Sequence, residues 1–255
     1  MEAEMDLEIT WKTVESDSLL LPKGTRILPK AEFTLFDANH RGGERSVTKT
    51  SEQDAIRWFL KSEGLMLLLN ELDVNEAPFI DQAIVRPIIE NSNNKPGDID
   101  ILICERHDPR YAIALQVKPV PVITTNDGGD DFKKVQKIKD GVLQVNAQRE
   151  KLAFHKNYLA ILILADGRDK SETNALFRGP SSQTYDEIYS FPQRESLHQD
   201  VGLIFMKMIQ PTGKSMTDMS HVGVYLEKPA TPLEQPSKLT KRIQEHMQQK
   251  GVIKS

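Results

Sequence analysis

Two carboxylates, an amide and an amine stand near one another in the middle of the chain. Gly97-Asp98-Ile99-Asp100 leads into the apolar run Ile101-Leu102-Ile103-Cys104, and after a polar turn comes Ile113-Ala114-Leu115-Gln116-Val117-Lys118. If both runs are strands and neighbours, they bring a carboxylate, an amide oxygen and an ammonium to one spot at the edge of a buried sheet. Side chains alternate along a strand, so Gln116 and Lys118 share one face while Val117 takes the other, and Asp98 and Asp100 likewise share a face. Oxygen donors of this kind suit Mg2+, which prefers an octahedral shell and keeps several waters. A bound metal lowers the pKa of a water and neutralises charge on an attacked phosphate. An amine beside it orients that water or stabilises developing negative charge. The set therefore suits hydrolysis of a phosphodiester. The competing explanations are plain: a strand-end lysine exposed at an edge, and aspartates used in a turn after Pro96-Gly97.

These residues need elements to position them. Both apolar runs are continuous rather than alternating, as in strands covered on both faces. The polar segment Glu105 to Arg110 reads as a hairpin loop between them, and Asn91 to Gly97 as a turn. Upstream, a helix begins near Ser51, where Ser51 and Asp54 have capping-box spacing. Glu52, Ala55, Ile56, Phe59 and Glu63 share one face of it. Glu52 thus stands either beside the apolar face, where a carboxylate needs a cation or donors, or wet in the first turn, favoured by the helix dipole. Ala83 to Ile89 is ambiguous between strand and other structure. Thr124 to Asp131 is a flexible connection. A long helix follows over Asp131 to Leu152, with Val135, Ile138, Val142, Val145 and Leu152 as its apolar stripe. Lys133, Lys137, Gly141, Gln144 and Gln148 run beside that stripe. Gly141 costs about 1 kcal/mol inside a helix relative to alanine, which suggests that something packs close to it.

The remaining elements frame this core. Leu7, Ile9 and Trp11 alternate with polar residues, and Phe33 to Phe36 is a second short strand candidate. Tyr158 to Leu164, Val201 to Ile209 and Val222 to Leu226 are later strands, and 168 to 200 is polar and irregular. Pro229, Pro232 and Pro236 mark a linker. Ser237 is the cap candidate for a terminal helix with Leu239, Ile243 and Met247 on one face, stopped by Gly251. That face would dock on the body or on a second copy. The expected division is a 1–45 β embellishment, a 46–228 core, and a 229–255 linker and helix.

Composition narrows the class. Charged residues are 27 % and aromatics 6 % of 255 residues, which reads as an ordinary soluble protein with a sizeable core. No apolar run approaches a membrane span. The acidic start, Met1 to Glu8, lacks the features of a secretory signal, and Cys104 is the only cysteine, so a cytoplasmic setting is expected. A net charge of −4 counts mildly against broad nonspecific nucleic-acid binding, although a basic groove can be local. The six histidines show no ligand spacing. Neither a phosphate-binding Gly-rich loop nor a Gly-x-Ser-x-Gly elbow is present.

The order helix, strand, strand, helix, strand, with acidic residues entering one strand and Gln-x-Lys leaving the next, resembles the PD-(D/E)XK nuclease superfamily. That group includes many restriction endonucleases, Holliday-junction resolvases and RecB-type nuclease domains. The resemblance covers residues 51 to about 166. It implies an α/β fold with a restriction-endonuclease-like core, a mixed central β-sheet flanked by helices, carrying N-terminal β and C-terminal helix additions. It places Asp100 on the metal-binding aspartate, Gln116 on the acidic position of the second half-motif and Lys118 on its lysine. Glu52 matches the first-helix glutamate of many members, and Gln144, or else Gln148, the helix glutamine of RecB-like members. Asp98 matches an extra acidic residue of some relatives.

The implied metal ligands are Glu52, Asp98, Asp100 and Gln116, with Mg2+ as cofactor and Mn2+ as its substitute. The implied catalytic residues are Asp100, Gln116 and Lys118. Lys133, Lys137 and Gln144 would hold the phosphate backbone, contacts that position rather than specify. The implied activity is DNA cleavage, with DNA as partner and a homodimer as a further expectation. One departure matters: Gln116 replaces the usual Glu or Asp and carries no charge, which should weaken metal binding. The alternative is therefore a catalytically degenerate module that binds nucleic acid or a protein partner.

Overall fold

A computed structural model describes residues 7–11, 19–20, 52–61, 63–74, 79–87, 99–105, 108–122, 131–166, 192, 195–210 and 222–253. The chain forms an α/β structure around one mixed sheet. In chain order the elements are β1 (Leu7–Trp11), β2 (Leu19–Leu20), α1 (Glu52–Lys61), α2 (Glu63–Glu71), β3 (Phe79–Pro87), β4 (Ile99–Glu105), β5 (Asp108–Val122), α3 (Asp131–Leu152), β6 (Lys156–Asp166), β7 (Gly202–Gln210), β8 (Val222–Lys228) and α4 (Ser237–Gln249). The sheet order is β1-β3-β4-β5-β6-β7-β8, with β2 also pairing β3. β5, β6 and β7 run parallel to one another, and the other described pairs are antiparallel.

The alternation along β6 shows how the layers arise. Tyr158, Ala160, Leu162 and Leu164 point to one face, where they pack with Ile101, Ile103, Ile113, Leu115 and Val117 beneath Ala55, Ile56 and Phe59 of α1 and Leu65 and Leu68 of α2. Leu159, Ile161 and Ile163 point to the other face and meet Ile138, Val142 and Val145 of α3. Beside α3 on that face, Leu239, Ile243 and Met247 of α4 cover Ile99, Leu102, Ala112 and Ala114. The continuous apolar runs are thus buried on both faces, which is what covered parallel and central strands require. The terminal helix docks on the body of its own chain. Ser237 is its first helical residue, not its cap: the preceding position is Pro236, and no side chain caps the helix. Gly251 follows its end with φ of 70°, a left-handed turn suited to glycine.

Several boundaries differ from the sequence-based expectation. The ambiguous segment around Ala83 is a strand, beginning at Phe79 and ending at Pro87. The hairpin between β4 and β5 is tighter than a Glu105–Arg110 loop, because Glu105 already pairs with Asp108. Arg110 turns back to donate to Asp108 from its backbone N–H and its guanidinium, so this polar stretch begins β5 instead of looping. The candidate strand at Phe33–Phe36, the Asn91–Gly97 turn and the 124–130 connection lie outside the described residues. Among the described residues no helix is long and apolar enough to cross a membrane.

Cys104 is fully buried on β4. Burial, reinforced by the Glu105 and Asp108 carboxylates, pushes its thiol from 9.0 up to about 12. The unfolded chain therefore ionises first as pH rises, so stability present below about pH 9 declines toward pH 12. At pH 10.5 the wild type should lose about 2 kcal/mol, given about 1.4 kcal/mol per unit. Urea unfolding at pH 8 and pH 10.5 checks this: Cys104→Ala should show the smaller drop. Equal drops in both proteins would remove the thiol as the cause.

Candidate active site

β4 and β5 do not end together, and the mismatch makes a corner. Their ladder runs through Ile103↔Ile113, Leu102↔Ala114 and Ile101↔Leu115. Continued one step, it sets Asp100 opposite Gln116. β4 begins at Ile99, whereas β5 continues to Val122 with only β6 beside it on the described side. Residues Pro119 and Pro121 fall in this extension. Backbone N–H groups two apart point to the same side of a strand, so both prolines lack a donor on the side where Val117 has one. Among the described residues no strand pairs with β5 on that side beyond β4, and a proline is tolerated in a strand where no ladder partner is needed. The Lys-Pro-Val-Pro run thus marks where the described β4–β5 pairing stops.

Asp100 closes the ladder at that point with its side chain. Its Oδ2 accepts from the Val117 backbone N–H at 2.7 Å and from the Gln116 side-chain Nε2 at 2.5 Å. Hydrogen bonds to a carboxylate are short and stronger than neutral ones. The same contact orients the Gln116 amide. With Nε2 committed to Asp100, the free atom is Oε1, and a flip would set oxygen against carboxylate. Gln116 is 2 % exposed, and its Oε1 meets no donor among the described residues. A buried acceptor left without a partner is costly, so this oxygen is suited to a cation or a water.

Lys118 follows on the same strand face. Its stem lies against α3 at Gly141, where a Cβ would stand 2.6 Å from Lys118 Cγ and 3.0 Å from Leu159 Cδ1. The close neighbour anticipated at Gly141 is therefore the lysine itself. The side chain is 11 % exposed, and its Nζ lies 3.8 Å from Glu52 Oε1. Glu52 starts α1, which packs on the opposite face of the sheet, so this ion pair joins the two helical layers at the corner. The Glu52 carboxylate is 46 % exposed. It is thus both wet and paired, and at that exposure and separation the attraction is modest.

The other sequence candidates divide. Lys137 is exposed on α3, and Gln144 is half-buried there, with its Oε1 buried and lacking a donor among the described residues. Lys133 belongs to α3, but its side chain, like all of Asp98, lies outside the described residues. The structure therefore brings Asp100 and Gln116 into contact and Lys118 and Glu52 into a pair, and it leaves Lys137 on the open helix surface. Sequence reasoning passed over the prolines at 119 and 121, whose position in an otherwise apolar run was the available signal.

Gly141 offers a direct check of the corner's packing. Gly141→Ala should destabilise the wild type, even though alanine is the better helix former by about 1 kcal/mol, because its methyl meets the Lys118 stem. In a Lys118→Ala background that contact is gone. A thermal double-mutant cycle should give a coupling of about 0.5–3 kcal/mol between the two positions; simple additivity would contradict the geometry.

The residues present fit a hard divalent ion in donor type: the Asp100 carboxylate, one buried amide oxygen without a donor among the described residues, and the Glu52 carboxylate paired with Lys118. The set is lean in charge. Among the described residues no three His, Cys, Asp or Glu side chains group closely enough to hold a metal. Comparisons with family models, with curated proteins and with solved structures found no match for this chain.

Proposed function

We propose that the protein is a divalent-metal-dependent nuclease of the PD-(D/E)XK kind that hydrolyses DNA phosphodiester bonds at the Asp100–Gln116–Lys118 corner. The observation that carries this reading is the Gln116 amide, turned by Asp100 so that a buried oxygen with no donor among the described residues remains beside a carboxylate and two residues from a lysine on the same strand face. The mixed sheet, with helices on both faces and a β5–α3–β6 crossover between parallel strands, supports a restriction-endonuclease-like core.

Asp100 and Gln116 would hold the metal, with Glu52 as a further oxygen donor. Mg2+, or Mn2+ in its place, would supply an acidified water and offset phosphate charge. Asp100 also ties β4 to β5 through Val117, so the ligand set does not drift. Lys118, its stem held against α3 at Gly141, carries an ammonium to the rim of the corner. There it orients the attacking water or meets the charge that develops on the phosphate oxygens. Lys137 on α3 is free to contact the sugar-phosphate backbone without reading sequence.

A second reading has its own support. Gln116 is neutral, and among the described residues no three His, Cys, Asp or Glu side chains form a metal-holding group; the neutral amide favours a non-catalytic module of the same fold that binds nucleic acid or a protein partner. Two measurements separate them. Purified wild-type protein with Mg2+ or Mn2+ should cut a panel of single-stranded, duplex and branched DNA, and calorimetric titration should show metal binding that Asp100→Asn removes. Absence of both metal binding and cleavage across that panel would favour the binding module.

A further inference from the structure

The seam between β5 and α3 carries three amides where apolar side chains would be the simpler choice. Gln116 on β5 and Gln148 on α3 are 2 % and 0 % exposed, and Gln144 lies one turn before Gln148 on the helix. In all three, Oε1 is buried and meets no protein donor among the described residues. Reversing the Gln116 and Gln148 amides does not relieve this. Gln116 Nε2 is bound to Asp100 Oδ2, and Gln148 Nε2 to Asn157 Oδ1 at 3.3 Å, while Asn157 Nδ2 donates to the Phe154 carbonyl. Either flip would turn one oxygen onto another.

The three lie in sequence along the seam. Gly141 stands over Lys118 and Leu159, and Gln148 reaches Asn157. On β6, Leu159 pairs with Gln116 and Asn157 with Ala114. Gln144 falls between Gly141 and Gln148 on α3, so the residues follow in order from the corner inward. Buried polar groups of this kind are met by internal water, each molecule typically making about three hydrogen bonds. At Gln144 and Gln148 a cation is the poorer occupant, because both amides are neutral and the described hydrogen-bond partners there include no carboxylate. At Gln116, beside the Asp100 carboxylate, water takes in the metal-free protein the place that a divalent ion would take.

We infer that the β5–α3 seam holds a file of internal water molecules that donates to Gln116, Gln144 and Gln148 and runs from the Asp100 corner to the Gln148–Asn157 pair. Its consequence rests on the nuclease reading: a phosphodiester docked over the corner closes it to bulk solvent, and the file replaces the water consumed in hydrolysis from beneath.

The test uses the full chain without metal or DNA. Magnetic relaxation dispersion of water oxygen counts long-lived internal waters, and Gln148→Leu should show at least one fewer than wild type, with an unchanged circular dichroism spectrum. Gln144→Leu provides the same measurement if Gln148→Leu does not fold. A high-resolution crystal structure should show water at hydrogen-bond distance from all three oxygens. An unchanged count, a dry seam, or an ion in place of water overturns the inference. So does a higher melting temperature for Gln148→Leu, since that would mean a merely stranded amide had been removed. A dry seam beside intact Mg2+-dependent cleavage sinks the water file alone; a wet seam in a protein that never cleaves sinks the nuclease reading alone.

Discussion

Lys118→Met should lower DNA cleavage by about 10²–10³-fold, the usual loss when one stabilising donor leaves a reacting centre, while magnesium still binds. Methionine keeps an unbranched stem of similar length, so the packing against Gly141 survives and the fold should be as stable as wild type. Lys118→Ala should be as inactive, but it also empties the space that Gly141 leaves open and should melt earlier. The partner lost in both is Glu52, whose carboxylate is 46 % exposed and can be solvated without much cost. Initial rates on the best substrate, set beside calorimetric metal titration of the same proteins, check this. Retained cleavage in Lys118→Met would remove the amine from the chemistry and leave it as a packing lysine.

Changing the charge of the corner should move metal affinity in opposite directions at its two ligands. Asp100→Asn halves the set's carboxylate character and replaces a charged acceptor for Val117 N–H and Gln116 Nε2 with a weaker neutral one. It should abolish the magnesium-dependent rise in melting temperature and cost about 1–3 kcal/mol of metal-free stability. Gln116→Glu does the reverse. It sets a second carboxylate against Asp100 where a 2.5 Å hydrogen bond now stands, so without metal the two acids repel and one is driven to hold a proton. A divalent ion relieves that repulsion. Metal affinity should rise about tenfold or more, equivalent to at least about 1.4 kcal/mol, while the metal-free form melts earlier. Thermal melts across a magnesium series on all three proteins read both effects. If Gln116→Glu is destabilised and magnesium does not restore it, the corner is not a metal site, and the lean charge of the natural set points to the binding module.

Much of this was legible before any coordinates, for identifiable reasons. α3 was readable to its ends because 22 residues repeat one apolar stripe, and a long periodic signal outweighs local noise. β4, β5 and β6 were readable as buried strands because their apolar runs are uninterrupted. Gly141 announced a close neighbour because glycine in a helix is otherwise unfavourable. α2 was not read: in Leu65-Met66-Leu67-Leu68-Leu69 the apolar residues are too crowded to show a period. β5 was read too short, since Pro119 and Pro121 argue against a central strand until it is known that β4 stops before them.

The sequence by itself determined the chemical types at the site, Asp100 entering one strand and Gln116 and Lys118 sharing a face of the next, because alternation is a property of any extended chain. Only the tertiary structure decided which atoms meet. The β4–β5 register set Asp100 against Gln116, and that contact, not the residue type, left Oε1 as the atom without a donor. The approach of α3 at Gly141 and of α1 at Glu52 fixed the course of Lys118. Those outcomes depend on non-local pairing and on two helices arriving from opposite faces of the sheet, and neither is encoded in the spacing of residues along the chain.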